Sequence, residues 1–320
     1  MSVLVTGATG FVGRHLCHEL ADAGFDVIAA VRDATVAQRK YPQLSMCREI
    51  PDYRQIKAFS DWMPCLDGVD SVVHLAGLAH AMGKGRREAI GLYQQVNETA
   101  TRALVRACVT AGVSQFIFAS TAKVYGDSSP AGPFSEADKP APIGEYAESK
   151  LAAERAILEE TAGSSCRAVI IRPPMIYGPD VGGNFPRLVR LVKSGIPLPL
   201  GSVRNRRSLV SIWNVCSLVQ RVLSKPVAHG QILLPTDVRP VSTPELLRSI
   251  AAAMNRRAMI FAMPAGLLSF AGRAFGMGDE IARLVDSMEL DGADTRRILG
   301  WSPPLSPEDG IRRAVTLMLT

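Results

Sequence analysis

The chain has 320 residues, 47% of them hydrophobic, and 36 Lys and Arg against 30 Asp and Glu leave a formal net charge of +6. That length and apolar content bury a large core in one or two domains, which excludes a disordered or fibrous chain. The basic excess forms no long block, which excludes a nucleic-acid track; its clusters at Arg187, Arg190 and Lys193 and at Arg204, Arg206 and Arg207 suit a phosphate-bearing small molecule, or a solvated face.

Val3-Leu4-Val5 reads as the first strand, and Gly7-Ala8-Thr9-Gly10-Phe11-Val12-Gly13 follows as a turn and helix start. The first glycine permits a tight turn, the second lets backbone approach a pyrophosphate, and the third lets helix and strand pack closely, with the anion at the helix N-terminus. Val27 to Val31, Ser71 to Leu75, Gln115 to Ala119 and Ala168 to Arg172 are nearly continuous apolar runs, the pattern of a parallel sheet covered on both faces. Helical stretches near 97–111 and 146–162 separate the later runs. The expectation is an α/β fold, a doubly wound parallel Rossmann sheet with a smaller α+β C-terminal lobe.

After Pro173-Pro174 the composition shifts to Gly, Pro and Arg. Residues 1–175 therefore read as a dinucleotide-binding domain, rejoined by about 208–238 through short strands at Ser208 to Ile212 and Gln231 to Leu234. Residues 176–207 and 239–320 form the substrate lobe, closed by helices over Asp294 to Leu299 and Pro307 to Leu319. The apolar stretch Met259 to Gly276, interrupted by Pro264 and Arg273, predicts a packed helix and no stable membrane insertion. The first strand leaves no room for a secretory leader, so a cytoplasmic protein is expected. Cys17, Cys47, Cys65, Cys108, Cys166 and Cys216 show no metal-ligand spacing, which predicts free, mostly buried thiols and no metal.

Tyr146 and Lys150 stand at i and i+4, on one face of a helix. A phenol titrates at about 10 in isolation, and a nearby ammonium stabilises its anion, so Lys150 is expected to lower the Tyr146 pKa for acid–base work. Ser120-Thr121 end the strand Phe116 to Ala119 at the carboxyl edge, where open α/β sheets bind ligands. Singly, each of these is an ordinary helix-surface pair or turn residue; with the glycine turn they describe one cleft.

Together with His74-Leu75-Ala76-Gly77, Val96-Asn97, Ser120 to Gly126, Arg172-Pro173-Pro174 and Tyr177-Gly178-Pro179, these motifs make nearly the whole chain resemble the extended short-chain dehydrogenase/reductase family, with its nucleotide-sugar epimerases, dehydratases and 4-ketoreductases. The resemblance implies Tyr146 as catalytic acid/base, Lys150 as its electrostatic partner and nicotinamide-ribose ligand, and Thr121 as the hydroxyl holding the reacting sugar oxygen. It places Gly7, Thr9, Gly10, Phe11, Val12 and Gly13 around the cofactor diphosphate, Leu75, Ala76 and Gly77 near the adenosine half, and Ser120 and Pro173 at the nicotinamide. Asn97 braces the site, and His74 reads as structural.

The family's 4,6-dehydratases carry an Asp-Glu pair after the catalytic threonine; Ala122-Lys123 stands here, which disfavours dehydration and leaves Lys123 facing either a ligand oxygen or solvent. Arg32 follows Val31 where NAD-binding relatives carry an acid, so NADP(H) is favoured over NAD(H), with Asp33 as a competing ribose ligand. Asn184, Leu198, Leu200 and Arg207 match positions that favour a UDP-sugar, whereas Met175 replaces an asparagine of UDP-glucose 4-epimerases. The resemblance thus points to a 4-reductase turning a UDP-4-keto-6-deoxy-N-acetylhexosamine into UDP-N-acetylquinovosamine or UDP-N-acetylfucosamine for surface-polysaccharide synthesis. The alternative is a UDP-hexose 4-epimerase with retained NAD, and a third reading is a silent dinucleotide-binding sensor. A homodimer through helices around 88–111 and 145–162 is also implied.

Overall fold

A computed structural model of the chain describes residues 1–79, 86–264, 266–268, 270 and 278–319. Strands β1 (Ser2–Thr6), β2 (Asp26–Val31), β3 (Cys47–Glu49), β4 (Ser71–His74), β5 (Gln115–Ala119) and β6 (Arg167–Ile171) alternate with α1 (Phe11–Asp22), α2 (Ala34–Lys40), α3 (Arg86–Tyr93), α4 (Ala100–Thr110) and α5 (Glu145–Thr161). Further on come β7 (Met175–Tyr177), α6 (Asn184–Lys193), β8 (Leu209–Ser211), α7 (Ile212–Ser224), β9 (Gln231–Leu233) and α8 (Thr243–Ala253). Helices α9 (Gly278–Val285), α10 (Ala293–Leu299) and α11 (Pro307–Leu319) complete the described chain.

The main sheet is seven-stranded and parallel, in the order β3-β2-β1-β4-β5-β6-β9. Strand alternation sends Val3 and Val5 to one face, against Leu16 and Leu20 of α1 and Leu218, Val219 and Val222 of α7. Leu4, Val72, Phe116 and Phe118 go to the other face, against Leu104 and Cys108 of α4 and Ala153 and Ile157 of α5. Both faces are buried, so strands without polar alternation are the sequences that fit. The order reverses between β1 and β4, and the pairs Thr6 to His74 and His74 to Phe118 bring the carboxyl ends of β1, β4 and β5 level. A cleft opens at that switch point.

Two expectations about the second half need correction. Ser208 to Ile212 does not rejoin the main sheet: β8 pairs in parallel with β7 as a separate two-stranded ribbon, and β9 alone returns to the sheet edge beside β6. Met259 to Pro264 is extended, since Leu198 N and Gly201 N donate to Met259 O and Phe261 O at 2.8 Å each, and Phe261 N donates back to Leu198 O. Most of the rest of the expected 259–276 helix lies outside the described residues. Helices α10 and α11 lie where the spacing placed them, and α8 starts on a capping box of Ser242 and Glu245 with a proline in its first turn. All six cysteines are free, five buried and Cys47 half-buried. Among the described residues no helix is long and apolar enough to cross a membrane, and no cluster of His, Cys, Asp or Glu could hold a metal ion.

Candidate active site

The glycine turn is built by close backbone contact. Gly7 adopts φ +68°, and a Cβ there would lie 2.8 Å from Ala76 N; a Cβ on Gly13 would lie 2.1 Å from Gly7 O. Helix α1 thus seats its first turn directly on the end of β1. Its Gly10 cap supplies no side-chain oxygen to the first N–H groups, including those of Phe11, Val12 and Gly13. Those donors and the positive end of the helix dipole face the switch point, with Thr9 exposed on the turn above them. Leu75 and Ala76 are held to the same strand end, through Leu75 N to Thr6 O and Ala76 N to Thr6 Oγ1, at 3.3 Å each.

Beneath them His74 is fully buried, its Nδ1 2.7 Å from Thr6 Oγ1 and its Nε2 2.8 Å from Thr101 Oγ1. Burial pushes its pKa down to about 3, so the ring is neutral and structural. Asn97 lies in a π-helical turn (Gln94–Thr99) ahead of α4, where the widened backbone turns it inward. Its amide accepts from Leu78 N at 2.7 Å and donates to Leu78 O at 3.0 Å and Ser149 Oγ at 2.9 Å. It therefore ties the loop after β4 to α5.

Helix α5 carries Tyr146 and Lys150 on its inward face, after Gly144 at φ +82° has turned the chain and with Glu145 and Glu148 suiting its N-terminal dipole. Thr121 caps the short turn Ala122–Tyr125, its hydroxyl accepting from Lys123 N at 3.3 Å, and lies near the Tyr146 phenol. The nearby Thr121 hydroxyl acts to lower the Tyr146 pKa, but burial is the larger influence and the net shift is upward. The expected acidification of Tyr146 by Lys150 is therefore not what this arrangement produces. Lys150 is itself deeply buried, its ammonium over the Phe118 ring, and burial takes its own pKa down to about 7 against the opposing pull of Glu154.

Ser120 and Pro173 complete this wall. Ser120 N donates to Ile171 O at 2.8 Å, Ala122 N donates to Pro173 O at 2.9 Å, and Ser120 Oγ donates to Glu154 Oε1. The sequence reading missed Glu154 and Ser149. Both belong to the helix face that Tyr146 and Lys150 define, so the i+3 and i+4 pattern alone pointed to them.

Other expected residues are arranged differently. Arg32 Nη1 lies 3.3 Å from Asp52 Oδ2, while Asp33 caps α2 by accepting from Val36 N at 2.8 Å. Lys123 pairs with Asp127 at 2.9 Å on an exposed rim. Leu198 and Leu200 turn their side chains into the core, so they offer a ligand only backbone. Asn184 opens α6, and Arg207 Nη1 donates to Asp286 O at 3.0 Å, its pKa lowered by burial and by Arg283 nearby.

The residues fit a nicotinamide dinucleotide. The bare first turn of α1 matches a diphosphate. The buried Lys150 ammonium, which has no hydrogen-bond acceptor among the described residues, matches a ribose hydroxyl.

The fold and this site define a dinucleotide-dependent enzyme of the doubly wound class. Residues 3–233 match the model of the NAD dependent epimerase/dehydratase family, and the chain belongs to that family. It is 36% identical to the UDP-glucose 4-epimerase of Vibrio cholerae over 99% of this chain and 95% of that one. Among solved structures, MoeE5 in complex with UDP-glucuronic acid and NAD is 26% identical, with a TM-score of 0.76 over 100% of this chain and 99% of that one. The UDP-N-acetylglucosamine 4-epimerase of Bacillus cereus shares the fold at TM-score 0.79 and 21% identity, each chain covered in full.

Proposed function

We propose that the protein is a UDP-hexose 4-epimerase that retains NAD. The observation that carries this reading is the end-to-end likeness to the Vibrio cholerae UDP-glucose 4-epimerase, joined to a Thr121 hydroxyl near the Tyr146 phenol and a buried Lys150 one turn along α5. It reverses the order in which the motifs alone ranked epimerase and 4-reductase.

NAD is preferred over NADP on electrostatic grounds. Around Arg32 stand Asp52, Asp33 and Glu49, the last accepting from Ala34 N at 2.9 Å. Three carboxylates oppose a 2′-phosphate more than one guanidinium attracts it, and Arg32 is already shared with Asp52. Gly7, Gly10, Gly13 and the N–H groups of Phe11 and Val12 would hold the diphosphate, Lys150 a ribose hydroxyl, and Ser120 and Pro173 the nicotinamide end. When bound, the nicotinamide supplies a two-electron hydride carrier.

As the phenolate, Tyr146 takes the proton of the sugar C4 hydroxyl as that carbon is oxidised, and as the phenol it returns it to the oxygen when the carbon is reduced from its other face. Thr121 keeps the phenol and the sugar oxygen in line, and its nearby hydroxyl favours the phenolate. Asn97 keeps the loop at Gly77 and Leu78 against α5, so the ammonium and phenol stay in register. Asn184 and Arg207 offer an amide and a guanidinium to the nucleotide, and the backbone at Leu198 and Leu200 flanks its base. Lys123, at the rim, contacts the sugar side. Ala122-Lys123 supplies no carboxylate pair for eliminating water.

A 4-ketoreductase is the second reading, favoured by Met175 in the first strand of the small ribbon. The two are separated by incubating purified protein with UDP-glucose and no added cofactor. The epimerase reading expects UDP-galactose to form and NAD to be recovered on denaturation. Consumption of NADPH with a 4-keto sugar nucleotide, and no UDP-galactose, would favour the reductase instead.

A further inference from the structure

Ser120 is buried at the carboxyl end of β5, and its hydroxyl makes one hydrogen bond among the described residues, donated to Glu154 Oε1. Glu154 is 2% exposed and is gripped by the Arg172 fork, Nε to Oε1 at 3.0 Å and Nη2 to Oε2 at 2.6 Å. The remaining Arg172 nitrogen, Nη1, donates to Tyr125 Oη at 2.7 Å, and the guanidinium lies 4.8 Å from the Tyr125 ring centroid. Both oxygens of the carboxylate are thus fixed in one plane from behind.

A salt-bridged carboxylate only accepts hydrogen bonds. The Ser120 proton is therefore spoken for, and the serine is left with lone pairs alone. Its backbone is pinned by Ser120 N to Ile171 O, so the side chain has little freedom to reverse that polarity. Glu154 also lies one helical turn beyond Lys150, where its charge favours the ammonium form against burial.

We infer that Glu154, clamped by Arg172, is a positioning residue that fixes Ser120 as a hydrogen-bond acceptor in the cofactor cleft, selecting a ligand N–H of the primary carboxamide class. The inference rests on the dinucleotide reading above and goes beyond it, since it assigns which end of the carboxamide Ser120 reads. A purely structural ion pair would hold the wall in place without distinguishing an amide from a ketone.

The test measures binding of NAD and of 3-acetylpyridine adenine dinucleotide to the full chain freed of bound nucleotide. The two probes differ in an amino group against a methyl group on the ring carbonyl. Wild-type protein is expected to prefer NAD about tenfold, the worth of one hydrogen bond. Ser120→Ala, which leaves the Glu154–Arg172 pair intact, is expected to bring the ratio near one while the acetylpyridine probe binds as before. Glu154→Gln, whose amide can donate to Ser120, is expected to lower the ratio too. An unchanged ratio in Ser120→Ala, or equal weakening of both probes, would overturn the assignment. Failure of wild-type protein to bind either probe would overturn the dinucleotide reading along with it.

Discussion

The Lys150 ammonium lies 4.1 Å from the centroid of the Phe118 ring, and a Cβ added to Gly77 would stand 3.5 Å from it. An ammonium over an aromatic face is attracted by the ring quadrupole, a contact that leaves its N–H groups free to point elsewhere. Here the sheet supplies the aromatic floor, the glycine supplies the space, and α5 supplies the cation.

That burial has a measurable cost. The folded-state pKa of Lys150 is about 7, below its ordinary 10.5, so the unfolded chain binds the extra proton between those values and stability rises with pH across that window. Lys150→Met is expected to raise the melting temperature of cofactor-free protein at pH 6, with the gain shrinking by pH 10, while turnover is lost. Thermal unfolding across that pH range checks it; no gain at pH 6 would contradict it.

Tyr146→Phe removes the hydroxyl proposed to carry the proton while keeping the ring. The expected result is a fall in kcat of about 10²- to 10⁴-fold with little change in melting temperature. Thr121→Ala removes a donor that lowers the Tyr146 pKa, so the limb of the pH–rate profile that needs the phenolate is expected to move to higher pH. Steady-state rates over a pH series read both effects.

Gly13→Ala is expected to be severe because the new methyl group would meet backbone, Gly7 O at 2.1 Å and Ala8 Cα at 2.7 Å. Neither atom can step aside without moving the turn. A loss of about 3 kcal/mol in denaturant unfolding is expected, together with loss of dinucleotide binding.

A second titration sits away from the cleft. Tyr177 Oη donates to Asp237 Oδ2 at 2.7 Å, while Ser211 N and Asn214 Nδ2 donate to Oδ1 at 3.0 and 2.6 Å. Burial outweighs these donors and raises the Asp237 pKa from 3.8 to about 6. The folded state then holds the proton more tightly, so stability falls as pH rises from 3.8 to about 6 and stays lower above it. Asp237→Asn is expected to flatten that slope relative to wild type in melting curves taken from pH 4 to 7.

Much of this architecture was legible in the residues. Apolar runs such as Phe116 to Ala119 mark buried parallel strands because both faces are covered, and the glycine spacing reports contacts that only a missing Cβ permits. The ribbon of β7 and β8 was not legible, since three-residue strands carry too little periodicity to name their partner. The charge balance of the site was hidden as well. Spacing places Tyr146 and Lys150 together, but whether Lys150 acidifies Tyr146 depends on burial, which tertiary packing sets. Likewise Arg32 reads as a phosphate ligand until the fold brings Asp52 to it from another strand's end.

The most direct measurement follows the hydrogen on the sugar's C4. UDP-glucose deuterated there is incubated with the protein in ordinary water, and the hexose products are examined by NMR. Reversible oxidation at C4 with a tyrosine handling only the hydroxyl proton predicts UDP-galactose that keeps its deuterium at C4, and product formation by Tyr146→Phe slowed about 10²- to 10⁴-fold. Product carrying solvent hydrogen at C4, or undiminished turnover in Tyr146→Phe, would contradict the account.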